Sequence, residues 1–362
     1  MNPLFHNILI SAPNGGGLFL LRHGIAHRLD SLSTTGLGVG RSTLYRGVQP
    51  ETLKVYGAHP SELSGLDGEM ADIHDVAIIG EDLFVVGTDR NVVVRLSDTG
   101  SLLERWTLPG ERDSCHLNCI AHWRDRIVYS CFGDYTTHRG YKGQTRERGM
   151  IRDLHSGEVL ISGLSQPHSP ASCGDHLLVA NSELHEIREY DPMGRLVRVK
   201  TLDSYTRGIA VRGDVILVGL SCPREKKEDQ SFRFSSQVVM LDRNSWEIVG
   251  KETLPTSEIY AVVPFDAEDH SDTLVQLITE NESARQRAED QAKDLEATIG
   301  KLETMLEKEQ IERKLEIDKL NRQIRDVSED LREVLTSLSW RVTAPLRSGM
   351  SKLRAVLGGL SG

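Results

Sequence analysis

Five polar residues stand at the starts of short segments in the first two thirds of this 362-residue chain, and their side chains could do chemistry. They are His74, His116, His168, Arg207 and Glu258, and successive ones are between 39 and 52 residues apart. Imidazole and carboxylate groups bind transition metals or transfer protons, and a guanidinium group neutralises a carboxylate or a phosphate. If the fold brings these five anchor residues together, they are candidates for a catalytic site.

Three of the anchors, His74, His116 and His168, form the predicted metal site. Three imidazoles with the Glu258 carboxylate would suit Mn, Fe or Zn, and the metal would act as a Lewis acid or lower the pKa of a bound water. Two alternatives remain open. One histidine could be a general base while Arg207 neutralises a carboxylate or phosphate of the substrate. If the fold is a β-propeller, the histidines could instead only hydrogen-bond neighbouring blades and waters of the central channel.

The intervals between the anchors match the length of a four-stranded propeller blade. Each of the first four anchors leads into an apolar stretch, an acidic turn residue, a second apolar strand and a third strand that ends in another turn. We therefore predict an all-β, six-bladed β-propeller over residues 1–268. The fifth anchor is followed by a single strand, so the apolar runs Asn7 to Ser11 and Leu18 to Arg22 are expected to close the ring. The segment Gly24 to Tyr56 would form a more degenerate first blade.

Strand direction alternates within a blade, so the anchors and the links between second and third strands should meet at one face of the ring. Two of these links, Gly133 to Gly149 and Cys222 to Gln237, are long and cationic, although they could also be solvated insertions. The net charge of the whole chain is −10, so we expect no nucleic-acid partner. Cationic loops at one face of such a chain predict an anionic partner, such as a saccharide or a sugar nucleotide. The predicted ligand-binding residues are Asn118, Arg139, Lys142, Arg224 and Tyr260.

Two further predictions come from strand alternation. Asn118 should share a strand face with His116, two residues away. Asp75 should point away from His74 and satisfy amide groups of a neighbouring blade rather than bind a metal.

The five cysteines have no CxxC spacing, which predicts reduced and mostly buried thiols.

The composition changes near His270 to Glu, Lys, Arg, Gln and Leu, which predicts a long helix over residues 269–339. Leucine, isoleucine and valine recur at alternating steps of three and four residues from Leu295 to Leu338, with one eleven-residue step between Leu306 and Ile317. This is the pattern of a coiled coil with one stutter. We expect homo-oligomerisation through this helix, or alternatively packing of the helix on the propeller.

The last segment, residues 340–362, has no acidic residue and carries leucines at helical spacing after Pro345. It predicts a short basic amphipathic helix that lies on an anionic membrane surface, or that caps the coiled coil. The first residues have neither the cationic start of a signal peptide nor a spanning segment. The predicted location is cytoplasmic, peripheral on the inner face of the plasma membrane.

The motifs DIHDVAI, CHLNCIA, GLSQPHSP, YTRGIAV, VGLSCPRE and EIYAVV, in this order, resemble those of an uncharacterised bacterial family of six-bladed propellers. The resemblance spans roughly residues 7 to 265 and implies the fold. One motif departs from the family, in which Arg-Trp follows the position of Pro170, whereas Ala171 and Ser172 follow it here. The tail motif SLSWRVTAPLR is similar to a signature that ends the coiled coils of glycosyltransferases and methyltransferases of bacterial surface-polysaccharide assembly.

Two functions are consistent with these features. The first is an enzyme of capsule-type or O-antigen-type polysaccharide biosynthesis that acts on an anionic saccharide or activated sugar at the axial face, with glycosyltransferases of the same pathway as partners. The second is a non-catalytic scaffold whose propeller binds a glycan or a protein, while the coiled coil sets oligomeric state and distance from the membrane. Propellers serve both purposes, so the fold does not choose between them.

Overall fold

The computed structural model describes residues 5–57, 59–64, 70–97, 99–222, 236–266, 270–336 and 347–352. Two compact units divide the chain, Met1–Ser283 and Ala284–Gly362. The first is a six-bladed β-propeller of four-stranded antiparallel sheets. The prediction of a six-bladed propeller is confirmed.

Each of the first five blades takes four strands in chain order. Blade 1 comprises β4 (Thr34–Val39), β5 (Leu44–Val48), β6 (Thr52–Tyr56) and β7 (Ser61–Ser64). Blade 2 comprises β8 (Ile73–Ile79), β9 (Asp82–Gly87), β10 (Val92–Leu96) and β11 (Leu102–Thr107). Blade 3 comprises β12 (Ile120–Trp123), β13 (Arg126–Cys131), β14 (Gly149–Asp153) and β15 (Val159–Leu164). Blade 4 comprises β16 (Pro167–Cys173), β17 (His176–Asn181), β18 (Glu186–Tyr190) and β19 (Leu196–Thr201), with a 3-10 turn at Ser182–Leu184. Blade 5 comprises β20 (Tyr205–Arg212), β21 (Val215–Ser221), β22 (Ser236–Asp242) and β23 (Ile248–Leu254).

Blade 6 combines the two ends of the propeller. Its strand order is β24, β1, β2, β3, with bounds Val262–Pro264, Ile8–Ala12, Gly17–Arg22 and Ile25–Asp30. The closing pairs join Leu9 to Val263 and Ile10 to Val262. Closure by N-terminal strands is therefore confirmed, and it removes a sheet edge that would otherwise remain open.

One part of the strand assignment was wrong. Residues 25–30, predicted to belong to the first blade, form β3, the outer strand of the closing blade. Three N-terminal strands, rather than two, thus complete blade 6. The physical reason is the tight turn at Gly24, with a φ of 74°, which folds β3 back on β2 and pairs Arg22 with Ile25. The degenerate first blade is consequently shifted to Thr34–Ser64.

Apolar side chains fill the junctions between neighbouring blades. The junction of blades 5 and 6, for example, packs Ile10 and Phe19 against Leu217 and Met240. Burial decreases outward within a blade, so that the outer strand β19 is almost wholly exposed while β17, two strands further in, is buried. Free buried cysteines agree with the prediction of reduced thiols.

Two glycines let the inner strands approach one another near the axis. A Cβ atom on Gly36 would lie 2.2 Å from the backbone nitrogen of Val76 in the next blade. Gly208 has a φ of 61°, and a Cβ there would lie 2.9 Å from the backbone nitrogen of Val262. Both positions require glycine because the neighbouring backbone occupies the space of a side chain.

Helix α1 spans Ser271–Thr336, which confirms the predicted long helix. Its first turns belong to the propeller unit: Leu277 is buried with Tyr56 and Phe265, and the Gln276 amide makes two hydrogen bonds, of 2.9 and 2.8 Å, to the backbone of Gly57. Within the described part of the chain, no helix is long and apolar enough to cross a membrane. The predicted tail helix lies mainly outside the described residues.

Ring closure gives a first prediction. Replacing Ile10, which is fully buried between blades 5 and 6, with alanine should lower the free energy of unfolding by about 2–5 kcal/mol, because it leaves a cavity at the closing strand. The matched control is Ile25→Ala on β3, where the side chain is 51% exposed. It should change the free energy of unfolding by no more than about 0.5 kcal/mol. Urea unfolding curves measure both, and equal losses would contradict the role given to β1.

Candidate functional site

All five anchors lie around the propeller axis, each in a different blade. His74 is on β8, His168 on β16 and Arg207 on β20, while His116 and Glu258 precede β12 and β24. Aromatic and cation–π contacts link four of the anchors, all except Glu258, into a closed ring, which we call the axial ring. Around the axis it runs through His74, His116, Phe132, His168, Tyr205, Arg207 and Tyr260.

Neighbouring members of the axial ring are close to one another. On one side, the ring centroid of His116 is 5.0 Å from that of His74 and 4.3 Å from that of Phe132, and the centroid of Phe132 is 5.5 Å from that of His168. On the other side, the ring centroid of Tyr205 lies 5.8 Å from that of His168, and the ring centroid of Tyr260 lies 5.8 Å from that of His74. The fold thus gathers the three predicted histidines around one centre, although Phe132 separates His116 from His168.

Tyr260 crosses the axis. It belongs to blade 6, and its hydroxyl donates a hydrogen bond of 2.5 Å to Oδ1 of Asn118 in blade 3, the blade diametrically opposite. Burial raises the pKa of Tyr260 well above its ordinary value, so this hydroxyl stays protonated and acts as a donor. Tyr260 also lines a cavity of about 340 Å³, formed by residues that follow the anchors along the inner strands.

Arg207 lies between two tyrosine rings. Its Cζ atom is 5.1 Å from the centroid of Tyr205 and 5.3 Å from that of Tyr260. Its side chain is only 9% exposed, and among the described residues the nearest carboxylate oxygen, Oε2 of Glu258, is 3.9 Å from Nη1, too far for a hydrogen bond. Among the described residues, Nε is buried without a hydrogen-bond partner. Burial opposes the charge of Arg207, but the surrounding Tyr205, Glu258 and Tyr260 nevertheless raise its pKa above the ordinary value.

Glu258 is held by the opposite end of the chain. The Asn14 amide donates a 2.8 Å hydrogen bond to Oε2 of Glu258 from the hairpin turn between β1 and β2. Ring closure therefore sets the position of this carboxylate as well as that of Tyr260. Glu258 is 7% exposed, and its Oε2 atom lies 3.9 Å from Nη1 of Arg207.

His116 forms a pair with a buried carboxylate that is not among the predicted site residues. Nδ1 of His116 donates to Oδ1 of Asp113 at 2.9 Å, and Oδ2 of Asp113 accepts hydrogen bonds of 2.8 Å from both Arg139 Nε and Tyr141 OH. Burial lowers the pKa of His116 to about 4, which outweighs the opposing effect of Asp113. The pKa of Asp113 falls to about 2, because hydrogen bonds from His116, Arg139 and Tyr141 outweigh the effect of burial. At neutral pH a neutral imidazole thus donates to an ionised carboxylate.

The other two histidines use Nδ1 in the same way. Nδ1 of His74 is 3.1 Å from the carbonyl oxygen of Asp72, and Nδ1 of His168 is 2.8 Å from the carbonyl oxygen of Gln166 and from Oγ of Ser182. Each of these partners lies in the blade of its own histidine or in the link that leads into it. A histidine whose Nδ1 donates in this way keeps the lone pair on Nε2, which is the atom a metal or a proton would meet.

Asp75 has the predicted structural role. Its Oδ2 accepts a 2.9 Å hydrogen bond from the backbone nitrogen of Ile120 in the next blade, and its Oδ1 accepts one from Val76. Burial raises the pKa of Asp75 to about 7. The prediction that it satisfies an amide of a neighbouring blade is confirmed.

The strand predicted through His116 and Asn118 was wrong. Strand β12 begins at Ile120, and His116 has a left-handed φ of 49°. Because alternation holds only within an extended strand, it does not relate these two side chains. Asn118 reaches the site instead through its hydrogen bond with Tyr260.

The loop between β13 and β14 packs onto the axial ring. Arg139 binds Asp113 while remaining 47% exposed on its side chain, Tyr141 packs on His116 with ring centroids 4.8 Å apart, and Lys142 is exposed. This confirms that this link and the anchors meet at one face. Arg224, the remaining predicted ligand residue, lies outside the described residues.

Four functional candidates were missed by the sequence reasoning. Asp113 precedes His116 by three residues and Tyr205 precedes Arg207 by two, so closer attention to the flanks of each anchor would have found both. Phe132 and Tyr141 are brought in by the β13–β14 link, and no spacing relates them to His116. Over the described ranges, no group of three or more His, Cys, Asp or Glu side chains is arranged to hold a metal ion. Binding of Mn, Fe or Zn stays a prediction.

Comparison with known proteins identifies the family. The model of a domain of unknown function, DUF4915, matches residues 65–266, which is more than half of the chain. The chain belongs to the DUF4915 family. The match includes every anchor and every member of the axial ring. No curated protein is similar enough in sequence to match this chain.

Solved structures support the propeller fold. A protein of unknown function from Bacteroides caccae is 11% identical, with a TM-score of 0.55 over 71% of this chain and 98% of that one. A chain of the nidogen/laminin complex is also 11% identical, with a TM-score of 0.52 over 71% of this chain and 97% of that one. At this level of identity the likeness concerns the fold alone.

The His116–Asp113 pair gives a second prediction. The unfolded chain protonates His116 near pH 6.5 and the folded protein only near pH 4, so the unfolded state binds more protons between these values and stability falls as the pH is lowered through this window. We expect a loss of about 1–3 kcal/mol between pH 7 and pH 4.5 from this group. In urea unfolding, the free energy of unfolding of His116→Asn should depend less on pH than that of wild type. The control His122→Asn, which changes an exposed histidine of the same blade, should keep the wild-type dependence. Identical profiles for His116→Asn and wild type would contradict the assignment.

Proposed function

We propose that the axial ring binds a small anionic saccharide, and that Arg207 holds its carboxylate or phosphate. The observation that carries this proposal is the state of Arg207: a guanidinium that is 9% exposed, with Nε lacking a hydrogen-bond partner among the described residues and the nearest carboxylate at 3.9 Å. A buried charge costs several kcal/mol unless hydrogen bonds compensate it, so an arginine in this state is suited to a ligand anion.

The surroundings of Arg207 favour an anion that presents two acceptor oxygens. The Cζ atom of Arg207 lies over the rings of Tyr205 and Tyr260, so aromatic rings contact the guanidinium, and its N–H donors are the groups suited to a ligand anion. Carboxylates and phosphates accept two parallel hydrogen bonds from such donors. A lysine at this position would offer a point charge without that geometry.

The remaining members of the axial ring suit a saccharide. Imidazole nitrogens of His74 and His116 offer hydrogen bonds to hydroxyl groups, and their side chains retain 13% and 16% exposure, so a small ligand can reach them. Phe132 and Tyr260 supply aromatic surface. A few polar groups among aromatic side chains are typical of small-molecule sites.

The pathway is a separate prediction. Surface-polysaccharide biosynthesis, glycosyltransferase partners and contact with an anionic membrane all rest on the tail motif, most of which lies outside the described residues. The cationic loop agrees with an acidic saccharide, because it carries Arg139, which binds Asp113, and the exposed Lys142, Arg146 and Arg148.

The proposal is tested by isothermal titration calorimetry with D-glucuronate, D-galacturonate and glucose 1-phosphate, with neutral glucose for comparison. At least one anion should bind at least about tenfold more tightly than glucose, and Arg207→Lys should weaken it by about tenfold or more, because the charge stays but the paired hydrogen bonds are lost. Arg207→Gln should weaken it further.

The matched control is Arg212→Gln, which changes an exposed arginine of the same strand. It should bind like wild type, and thermal melting should show that each variant is folded. The proposal fails if none of the anions binds more tightly than glucose, or if both Arg207 variants bind like wild type.

A second candidate function is catalysis by the same site, and the His116–Asp113 pair favours it. An imidazole whose Nδ1 is held by a carboxylate has a fixed tautomer and can accept a proton at Nε2. NMR spectra of the bound saccharide, recorded over time with and without added Mn, Fe or Zn, would reveal conversion. Conversion that is lost in His116→Asn while binding persists would indicate an enzyme, and binding without conversion would indicate a binding module.

A further inference from the structure

An apolar stripe runs along helix α1 within the second compact unit. In the single chain, each side chain of the stripe is between 46% and 65% exposed. The stripe consists of Leu295, Ile299, Leu302, Leu306, Ile317, Leu320, Ile324, Val327, Leu331 and Val334. Isolated exposed leucines are ordinary, but ten at regular spacing along a helix indicate a surface that another helix covers.

The spacing of the stripe residues is that of a coiled coil, so we expect the partner to be another helix. Steps of four and three residues alternate on both sides of a single eleven-residue step between Leu306 and Ile317. Within that step, Nη2 of Arg313 donates a 2.7 Å hydrogen bond to Oε1 of Glu309 on the same helix. The interruption also contains the exposed Ile311 and Leu315, which lie off the line of the stripe, and the stripe resumes after it at Ile317.

The size of the stripe is sufficient for a stable pair of helices. A stable protein interface buries about 800 Å² on each partner, and burying a leucine-sized side chain removes roughly 80 Å² of apolar surface from water. Ten such side chains reach that size. A partner helix must therefore carry a similar stripe over a similar length.

The same helix of a second copy meets this requirement. In a parallel, in-register pair every stripe residue meets its own counterpart, and the interruption meets itself. The positions that flank the stripe also agree, because Glu316 of one copy would lie opposite Asn321 of the other, and Gln323 opposite Ser328. These pairs contain no like charges, which would oppose pairing.

We propose that the chain forms a parallel, in-register homodimer through the apolar stripe of α1. The full-length protein should have twice the monomer mass by light scattering at micromolar concentration. Leu320→Glu with Ile324→Glu should convert it to a monomer. Arg322→Glu with Arg325→Glu, on the face away from the stripe, should leave the dimer intact.

Orientation is tested separately with single cysteine substitutions. Leu320→Cys should form a disulfide between two copies under mild oxidation, because the residue faces its own counterpart in a parallel pair, whereas Lys319→Cys should not. The native cysteines are buried and do not interfere. A monomeric wild type, a trimer or tetramer, a dimer that survives the double glutamate change, or absence of the intermolecular disulfide in the Leu320→Cys variant would each overturn the proposal.

Discussion

The pairing of β1 with β24 is the constraint on which the axial site depends. The segment that carries Glu258 and Tyr260 precedes a strand of only three residues, and that strand has no other neighbour in its sheet than β1. The N-terminal strand therefore holds the last inner strand in the ring. The same hairpin supplies Asn14, which binds Glu258. Closure of the fold and assembly of the site are one event, because Tyr260 can span the axis to Asn118 only when blade 6 is complete.

The electrostatics of the site follow from burial. Arg207 keeps its charge, because its neighbours counter the effect of burial, while His116 loses its charge under the same effect. Desolvation penalises both cations, but the guanidinium has an ordinary pKa far above neutral and the imidazole has one near it. The site at neutral pH consequently combines one permanent cation with a neutral imidazole. This combination favours binding an anion at one point and exchanging hydrogen bonds or a proton at another.

How far the sequence predicts this arrangement depends on the kind of contact. Anchor spacing predicts the blades, because each blade repeats a local pattern of strand and turn. Contacts across the axis, such as that of Tyr260 with Asn118, join residues 142 positions apart and leave no periodic trace. Backbone conformation also limits prediction: the left-handed φ of His116 breaks the alternation on which its predicted relation to Asn118 rested. Asp113, with a left-handed φ of 45°, is missed for a similar reason, because it lies in a turn and not in a strand.

The family match covers the residues of the axial ring but not all the elements that support them. Every member of the axial ring lies within residues 65–266, whereas blade 1 and strands β1 to β3 lie outside that range. Residues outside it hold the site by hydrogen bonds: Asn14 binds Glu258, and the backbone oxygen of Ser11 accepts a 2.8 Å hydrogen bond from the backbone nitrogen of Tyr260. Gln49 donates a 3.2 Å hydrogen bond to Asp72, whose carbonyl oxygen accepts from His74. The portion that defines the family thus carries the groups that would meet a ligand, and the remainder of the propeller fixes their orientation. Variation in blade 1 and the closing strands would accordingly tune the positions of His74, Glu258 and Tyr260, which those residues hold.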